Sequence, residues 1–281
     1  NKNRVPGEVI GEIINGSQWF VDKMSHYGIE MVLTGGETAD VGDLVKSVIV
    51  DSTVCARIRR SDIIDNANIK AGNVVVGLAS FGQAEWEEEY NGGIGSNGLT
   101  AARHDLFGPY LREKYPESFS TSIPLEFAYT GNRELLEVDE ETSLTFGKLL
   151  LSPTRTYAPV IKRVLELYRS EIDGMIHCSG GGQTKVLNFI DGVEVVKNNL
   201  FETPPLFNYL QENSNTPWRE MYQIYNMGHR MELYTSPEVA SKIVEISNSM
   251  GVEAKVIGEV KESDKTEVTI INKYGKFNYE K

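Results

Sequence analysis

Positive charge is in short supply in this chain. Lys and Arg number 28 against 40 Asp and Glu, a formal net charge of −12 over 281 residues. A nucleic-acid backbone is gripped by clustered Lys and Arg, so this balance argues against such a partner. Cysteine is rarer still. Cys55 and Cys178 are the only two, they have no metal-like spacing, and both stand in apolar stretches. They read as buried free thiols in a reducing cytoplasm. No apolar run approaches the roughly 18 residues of a membrane-spanning helix. No charged-then-apolar leader opens the chain. There is no internal repeat and no low-complexity tract. Nucleophile-elbow, zinc and Rossmann patterns are absent too, and G-x-x-x-x-G-K-[ST] fits nowhere.

What remains is an ordinary globular composition, 40% apolar and 24% charged, long enough for two domains. The chain opens without Met on "NKNRVPGEVIG", as a processed start or a piece of a longer polypeptide would. Pro6 suits a helix start, and Val9, Ile10, Ile13, Ile14, Phe20, Val21 and Met24 follow at helical spacing up to Gly28. "IEMVLTGG" and Ser47–Ile58 read as strands. A boundary falls near Asn66–Gly72, giving domains 1–68 and 69–281. Beyond it, Asn73–Ser80 reads as a buried strand and "LTAARHDLF" as a helix. Pro116–Thr142 reads as irregular surface. "SPTRTYAPVIKRVLELYRS" reads as a helix with Pro159 in its first turn. "GMIHC" reads as a strand and "QTKVLNFI" as a helix start. Helices follow near Pro204–Glu212 and Trp218–Tyr225. Then come strand "HRMELYT", a helix ended by Gly251, and strands "EAKVIGEV" and "TEVTIIN". The fold class is α+β, or mixed α/β.

Several stretches can carry chemistry. In "TGGETAD", Thr34–Asp40, glycines allow close backbone approach, and Glu37 and Asp40 are hard oxygen ligands of the kind Mg²⁺ takes. A tight turn with two solvated acids is the plainer reading. In "HCSGGGQTK", Gly180, Gly181 and Gly182 join a strand to a helix start, where unpaired amides can face an anion. His177 could add a donor. A flexible corner fits equally well. Ser96, Asn97 and Gly98 stand at another helix start, where ordinary capping explains them. Arg155 could contact a phosphate or the partner domain, and a surface salt bridge fits equally well. His229 reads as structural. Glu85, Glu87, Glu88 and Glu89 read as a solvated loop.

Taken in order, "MVLTGGETAD", "GLAS…GSNGLTAARHDLF", "LLLSPTRTYAPVIKRVLE", "GMIHCSGGG" and "PPLFNYLQE…WREMYQIYNMG" resemble the phosphoribosylformylglycinamidine cyclo-ligase (aminoimidazole ribonucleotide synthetase) family. The resemblance covers nearly the whole chain and thins between Phe107 and Gly147. It implies a two-domain synthetase fold with an incomplete N-terminal domain, and a cytoplasmic homodimer using ATP and Mg²⁺ on a phosphoribosyl substrate. The reaction implied is ATP-dependent closure of an imidazole ring. Residue by residue it assigns Gly35, Gly36, Glu37, Thr38 and Asp40 to nucleotide and metal. Ser96, Asn97, Gly98 and Gly180–Gly182, with Arg155, fall to the substrate, and Glu37 and His177 to catalysis. The chain departs from the pattern in three ways. An insertion, Gln83–Gly95, puts Gly95 where the family has histidine. The family's aspartate-rich ATP motifs, expected before Asn1, do not appear. Asp40 replaces a glutamate. A non-catalytic nucleotide-binding homologue, or a relative of selenophosphate synthetase or thiamine monophosphate kinase, stays open at this point.

Overall fold

The computed structural model describes residues 5–39, 41, 43, 45 and 48–281. It divides into two compact units, Asn1–Ile63 and Ile64–Lys281. In the first unit, helix α1 spans Gly7–Ser25 after Pro6. Gly28, at φ 70°, takes the chain out of it, donating its N–H to Ser25 O. The strands expected around "IEMVLTGG" and Ser47–Ile58 do not form among the described residues. A strand exists only through pairing, and residues 48–58 find no partner there. Cys55 is accordingly exposed, not buried, whereas Cys178 is buried.

The second unit is built on one seven-stranded sheet. Its strands are β1 (Val74–Ala79), β2 (Ile172–His177), β3 (Val193–Lys197), β4 (His229–Thr235), β5 (Ala254–Glu262), β6 (Glu267–Asn272) and β7 (Gly275–Glu280). Their order is β2-β4-β1-β5-β3-β6-β7. Every pairing is antiparallel except β3 with β6. The fold is therefore the mixed α/β architecture expected. β4 is buried at every residue, so both faces of the sheet are covered at its centre.

Helices α2 (Leu99–Leu106), α3 (Tyr110–Lys114), α4 (Phe146–Leu150), α5 (Ala158–Tyr168), α6 (Pro205–Ser214), α7 (Trp218–Ile224) and α8 (Pro237–Ser249) complete the unit. α8 packs on β1 and β5, α5 packs on α8, and α2 packs on α6. The helix expected from Ser152 starts only at Ala158, with proline in its first turn. The expected helix after the three glycines is a 3-10 turn, Gly182–Asn188. The stretch 116–142 holds only short 3-10 turns, yet Ala128, Tyr129 and Asp139 are buried in it.

The insertion Gln83–Gly95 is fastened to the body of the unit. Ala84 and Trp86 are buried, and Gly82 and Asn91 exchange backbone hydrogen bonds. Glu85, Glu88 and Glu89 are exposed, but Glu87 is not part of a solvated run. It forms a bidentate pair with buried Arg155.

Beneath the sheet's centre lies a buried polar network. Lys197 Nζ donates to Glu232 Oε1, to Gln183 O at 2.7 Å and to Gln183 Oε1 at 3.1 Å. Its three protons are all placed. Glu232 also receives His229 Nε2 at 2.9 Å and Tyr234 OH at 2.7 Å. Burial alone would push the Glu232 carboxyl up, but the Lys197 charge and His229 outweigh it and hold it ionised. Burial keeps His229 neutral and pushes the Cys178 thiol up. Ligand atoms of Cys178, His229 and Glu232 lie within 4.8 Å of one another, close enough to chelate. The ammonium on the same carboxylate and the protonated thiol make this a hydrogen-bonded core instead. Removing one partner leaves an uncompensated buried charge. Lys197→Met should cost about 3–5 kcal/mol in urea unfolding, and Lys197→Met with Glu232→Gln should recover part of that loss. A double variant as unstable as the single one would show that the charge pair is not the source.

Candidate functional site

Two glycine turns meet in the second unit, and one segment, 224–229, anchors both. From the first turn, Asn97 Nδ2 donates to Ile224 O at 2.5 Å. Asn226 reaches back, its Nδ2 donating to Gly93 O at 2.8 Å and Ile94 O at 3.2 Å. From the second turn, Gln183 Nε2 donates to Asn226 O and to His229 O. The turns also approach each other, since a Cβ at Gly180 would lie 3.6 Å from Asn97 Oδ1. Gly182 must be glycine. Its φ is +51°, and a Cβ would fall 2.6 Å from the carbonyl oxygens of Tyr222 and Tyr225. The shared anchor contains Met227 at φ 53°, a left-handed geometry that non-glycine residues adopt at a cost.

The turns differ from simple capping. The residue preceding α2 is Gly98, at φ 74°, and neither Ser96 nor Asn97 caps it by side chain. Ser96, Gly180 and Gly181 are exposed. The N–H groups of Gly180 and Gly181 find no acceptor among the described residues. His177 is exposed at the end of β2. Partial burial lowers its pKa toward about 4, and the Arg230 and Lys185 charges push the same way. Because the residue is exposed overall, the two cations are the firmer cause. His177 is therefore neutral at neutral pH.

Arg155 does not reach this site. Nε donates to Glu87, Nη1 to Ala79 O and Phe81 O, and Nη2 to Gly82 O and Glu87. All five N–H donors are engaged within the fold. The residue locks the insertion to the end of β1 and has nothing left for a substrate, which corrects the expectation placed on it. Gly35, Gly36, Glu37 and Thr38 belong to the first unit and are exposed. Asp40 lies outside the described residues.

The sequence reading passed over Arg230, Lys185, Asp105 and Tyr225. A signal existed for one of them, because "HRMELYT" puts Arg230 inside a strand with no polar alternation to expose it. Tyr225 packs against the first turn, its Cε1 lying 2.6 Å from where a Cβ on Gly98 would stand. Asp105, on α2, is pushed up to about 6 by burial, and burial together with the Asp105 charge raises the Tyr225 phenol. A carboxyl with a raised folded-state pKa keeps its proton more tightly folded than unfolded. Stability is then lost as pH rises from about 4 through 6, and stays lost above. Asp105→Asn should raise the melting temperature by a few degrees at about pH 8 and change it little at about pH 4. An equal shift at both values would remove titration as the cause.

Residues 127–271, just over half the chain, match the family model for the AIR synthase related protein, C-terminal domain. The phosphoribosylformylglycinamidine cyclo-ligase of Methanocaldococcus jannaschii is 32% identical over 238 residues, covering 82% of this chain and 57% of the relative. That of Carboxydothermus hydrogenoformans is 32% identical over 236 residues, covering 82% and 59%. This chain thus spans under two thirds of those relatives' length. The solved structure of Escherichia coli HypE, a hydrogenase maturation protein, overlays at a TM-score of 0.41 with 15% identity, covering 77% of this chain and 51% of that one. That overlay is too loose to add anything. On the family match, this chain belongs to the AIR synthase related family, among whose members its curated relatives are cyclo-ligases.

Proposed function

We propose that the protein closes an imidazole ring, converting formylglycinamidine ribonucleotide to aminoimidazole ribonucleotide with Mg-ATP. The observation that carries this reading is the shared anchor at 224–229. It brings Ser96–Gly98 and the turn His177–Gly182, with its open Gly180 and Gly181 amides, together, in a chain similar to named cyclo-ligases. On an acidic protein, backbone amides can hold phosphate where surface Lys and Arg are scarce.

In this reading ATP phosphorylates the formyl amide oxygen. The iminophosphate so formed has a good leaving group. The neighbouring amidine nitrogen attacks the carbon, the C–O bond to phosphate breaks, and the nitrogen gives up a proton. Chemistry of this kind rests on positioning and charge neutralisation, with no covalent nucleophile on the protein. The two glycine turns hold the substrate's phosphate and carbonyl oxygens. Neutral His177, at the rim, is in the right form to take a proton. Gly35, Gly36 and Thr38 serve the nucleotide, and Glu37 and Asp40 serve Mg²⁺. Glu37 suits that task, being exposed and without a partner among the described residues. Mg²⁺, when bound, neutralises phosphate charge and typically needs only one or two protein carboxylates. A cytoplasmic homodimer is the assembly this reading carries with it.

Full-length protein should release ADP from Mg-ATP only when formylglycinamidine ribonucleotide is present, as followed by a coupled assay. Substrate binding without stimulated ADP release would sink the enzyme reading. Glu37→Ala should weaken Mg-ATP use roughly 10- to 100-fold while moving the melting temperature little, as exposed substitutions do. Equal loss of activity and stability would make Glu37 part of a structural turn.

A further inference from the structure

The site holds a buried cation whose charge nothing among the described residues answers. Arg230 lies on β4 with 2% of its surface exposed. One hydrogen bond is made by its guanidinium, from Nη1 to Ile94 O at 3.1 Å. Nε is buried without an acceptor. Nη2 makes no hydrogen bond among the described residues, and no carboxylate pairs with the group there. The titratable groups that bear on it are Tyr157 and Cys178, both neutral at neutral pH because burial raises them, and neutral His177. A buried charge is ordinarily paired or expelled. This one is neither.

Its position is specific. A Cβ on Gly95 would lie 1.2 Å from Arg230 Nη1 and 2.6 Å from Nη2, so the guanidinium lies directly over the backbone of Gly95. That residue leads straight into the exposed Ser96 of the first turn. On the other side the Arg230 charge bears on His177, at the mouth of the second turn. Lys185 bears on His177 as well, and its Nζ is held by Ser179 Oγ within the second turn. The unpaired donors of Arg230 thus stand over the first turn, and their charge reaches the mouth of the second, where the Gly180 and Gly181 amides are open.

We propose that Arg230 is the anion-holding group of this site, and that it binds a phosphate monoester jointly with Lys185 and the Gly180 and Gly181 amides. A guanidinium offers several donors in one plane, which suits a tetrahedral oxyanion better than a single carbonyl. The inference deepens the ring-closure reading, in which the substrate carries one such monoester; the nucleotide's polyphosphate is assigned to the first unit. It also explains why a costly cation is kept here. The unliganded protein tolerates it, and the ligand supplies the missing counter-charge.

The test is titration of the protein with ribose 5-phosphate, with inorganic phosphate and with Mg-free ADP, followed by calorimetry and by melting temperature. Ribose 5-phosphate and inorganic phosphate should both bind and raise the melting temperature. Arg230→Met should lower their affinity roughly 10- to 100-fold, the worth of a charge-assisted contact. The same variant, freed of an unpaired buried charge, should melt no lower than the parent without phosphate. Lys185→Gln, at a partly exposed position, should lower affinity several-fold and keep the fold. In the unaltered protein the Arg230 Nε–H proton resonance should move on adding ribose 5-phosphate. That measurement needs no variant and decides the matter if Arg230→Met fails to fold. Unchanged affinity in a folded Arg230→Met, or an Nε–H signal unmoved at saturation, overturns the proposal. Binding of ADP alone, lost in Arg230→Met, also overturns it, by making this the nucleotide's site. Phosphate binding that depends on Arg230 without any ring closure would leave the anion site standing and the proposed reaction fallen.

Discussion

The ion pair between Lys197 and Glu232 is the constraint on which the rest of the second unit hangs. β4 is buried along its whole length, so an acid there must be compensated inside the protein. Lys197, on β3, compensates it and has two protons left, which go to the carbonyl and side-chain oxygens of Gln183. Gln183 in turn holds the backbone of Asn226 and His229. The sheet, the second glycine turn and the anchor of the first are thereby tied through three buried side chains, Glu232, Lys197 and Gln183. A polar network of this kind is worthwhile only when every member is satisfied, and among its polar atoms no orphan remains.

Two buried arginines make the contrast that separates structure from site. Arg155 and Arg230 are 4% and 2% exposed. The first has a bidentate carboxylate and three carbonyls. The second has one carbonyl. Burial penalises both alike, so the difference lies wholly in what answers the charge. Arg155 is finished by the fold and works as a rivet for the insertion. Arg230 is unfinished, beside open glycine amides and a neutral histidine. In a chain of net charge −12, an uncompensated cation is a local exception, and exceptions to consistent folding rules gather at functional sites.

Much of the second unit was legible in the sequence, for a physical reason. Buried strands and amphipathic helices write their periodicity directly, and "HRMELYT" is β4 from first residue to last. β3 and β7 escaped notice. β3 is five residues long, and β7, "GKFNYE", is largely polar and mostly solvent-facing. The first is short and ends on a lysine whose burial the sequence does not announce, and the second lacks the apolar weight that marks a strand. Arg155 was misjudged because position near a helix start does not reveal a partner 68 residues away. Glu87 was misjudged with it, since a run of acids looks solvated until one of them is claimed. In residues 48–58 the β-branched pattern is plain, yet propensity makes no strand without a neighbour to bond.

Gly95 shows how a departure from a family pattern can be reread once space is counted. By resemblance a histidine belongs there, and its absence removes one candidate acid or ligand. The geometry says otherwise, because the volume a side chain would need at 95 is already filled by the Arg230 guanidinium. Glycine at 95 and arginine at 230 are a single choice, since any Cβ at the first collides with the second. The exchange is not neutral chemically. A histidine would be mostly neutral near pH 7 and could trade protons, whereas a guanidinium keeps its charge and cannot act as an acid or base at that pH. In the proposed reaction, proton transfer would fall to His177, on the adjacent strand end, while the position over Gly95 would be purely electrostatic. Placing a fixed charge there also adds to burial in keeping His177 unprotonated, so the group that fills the space over Gly95 bears on the histidine beside it.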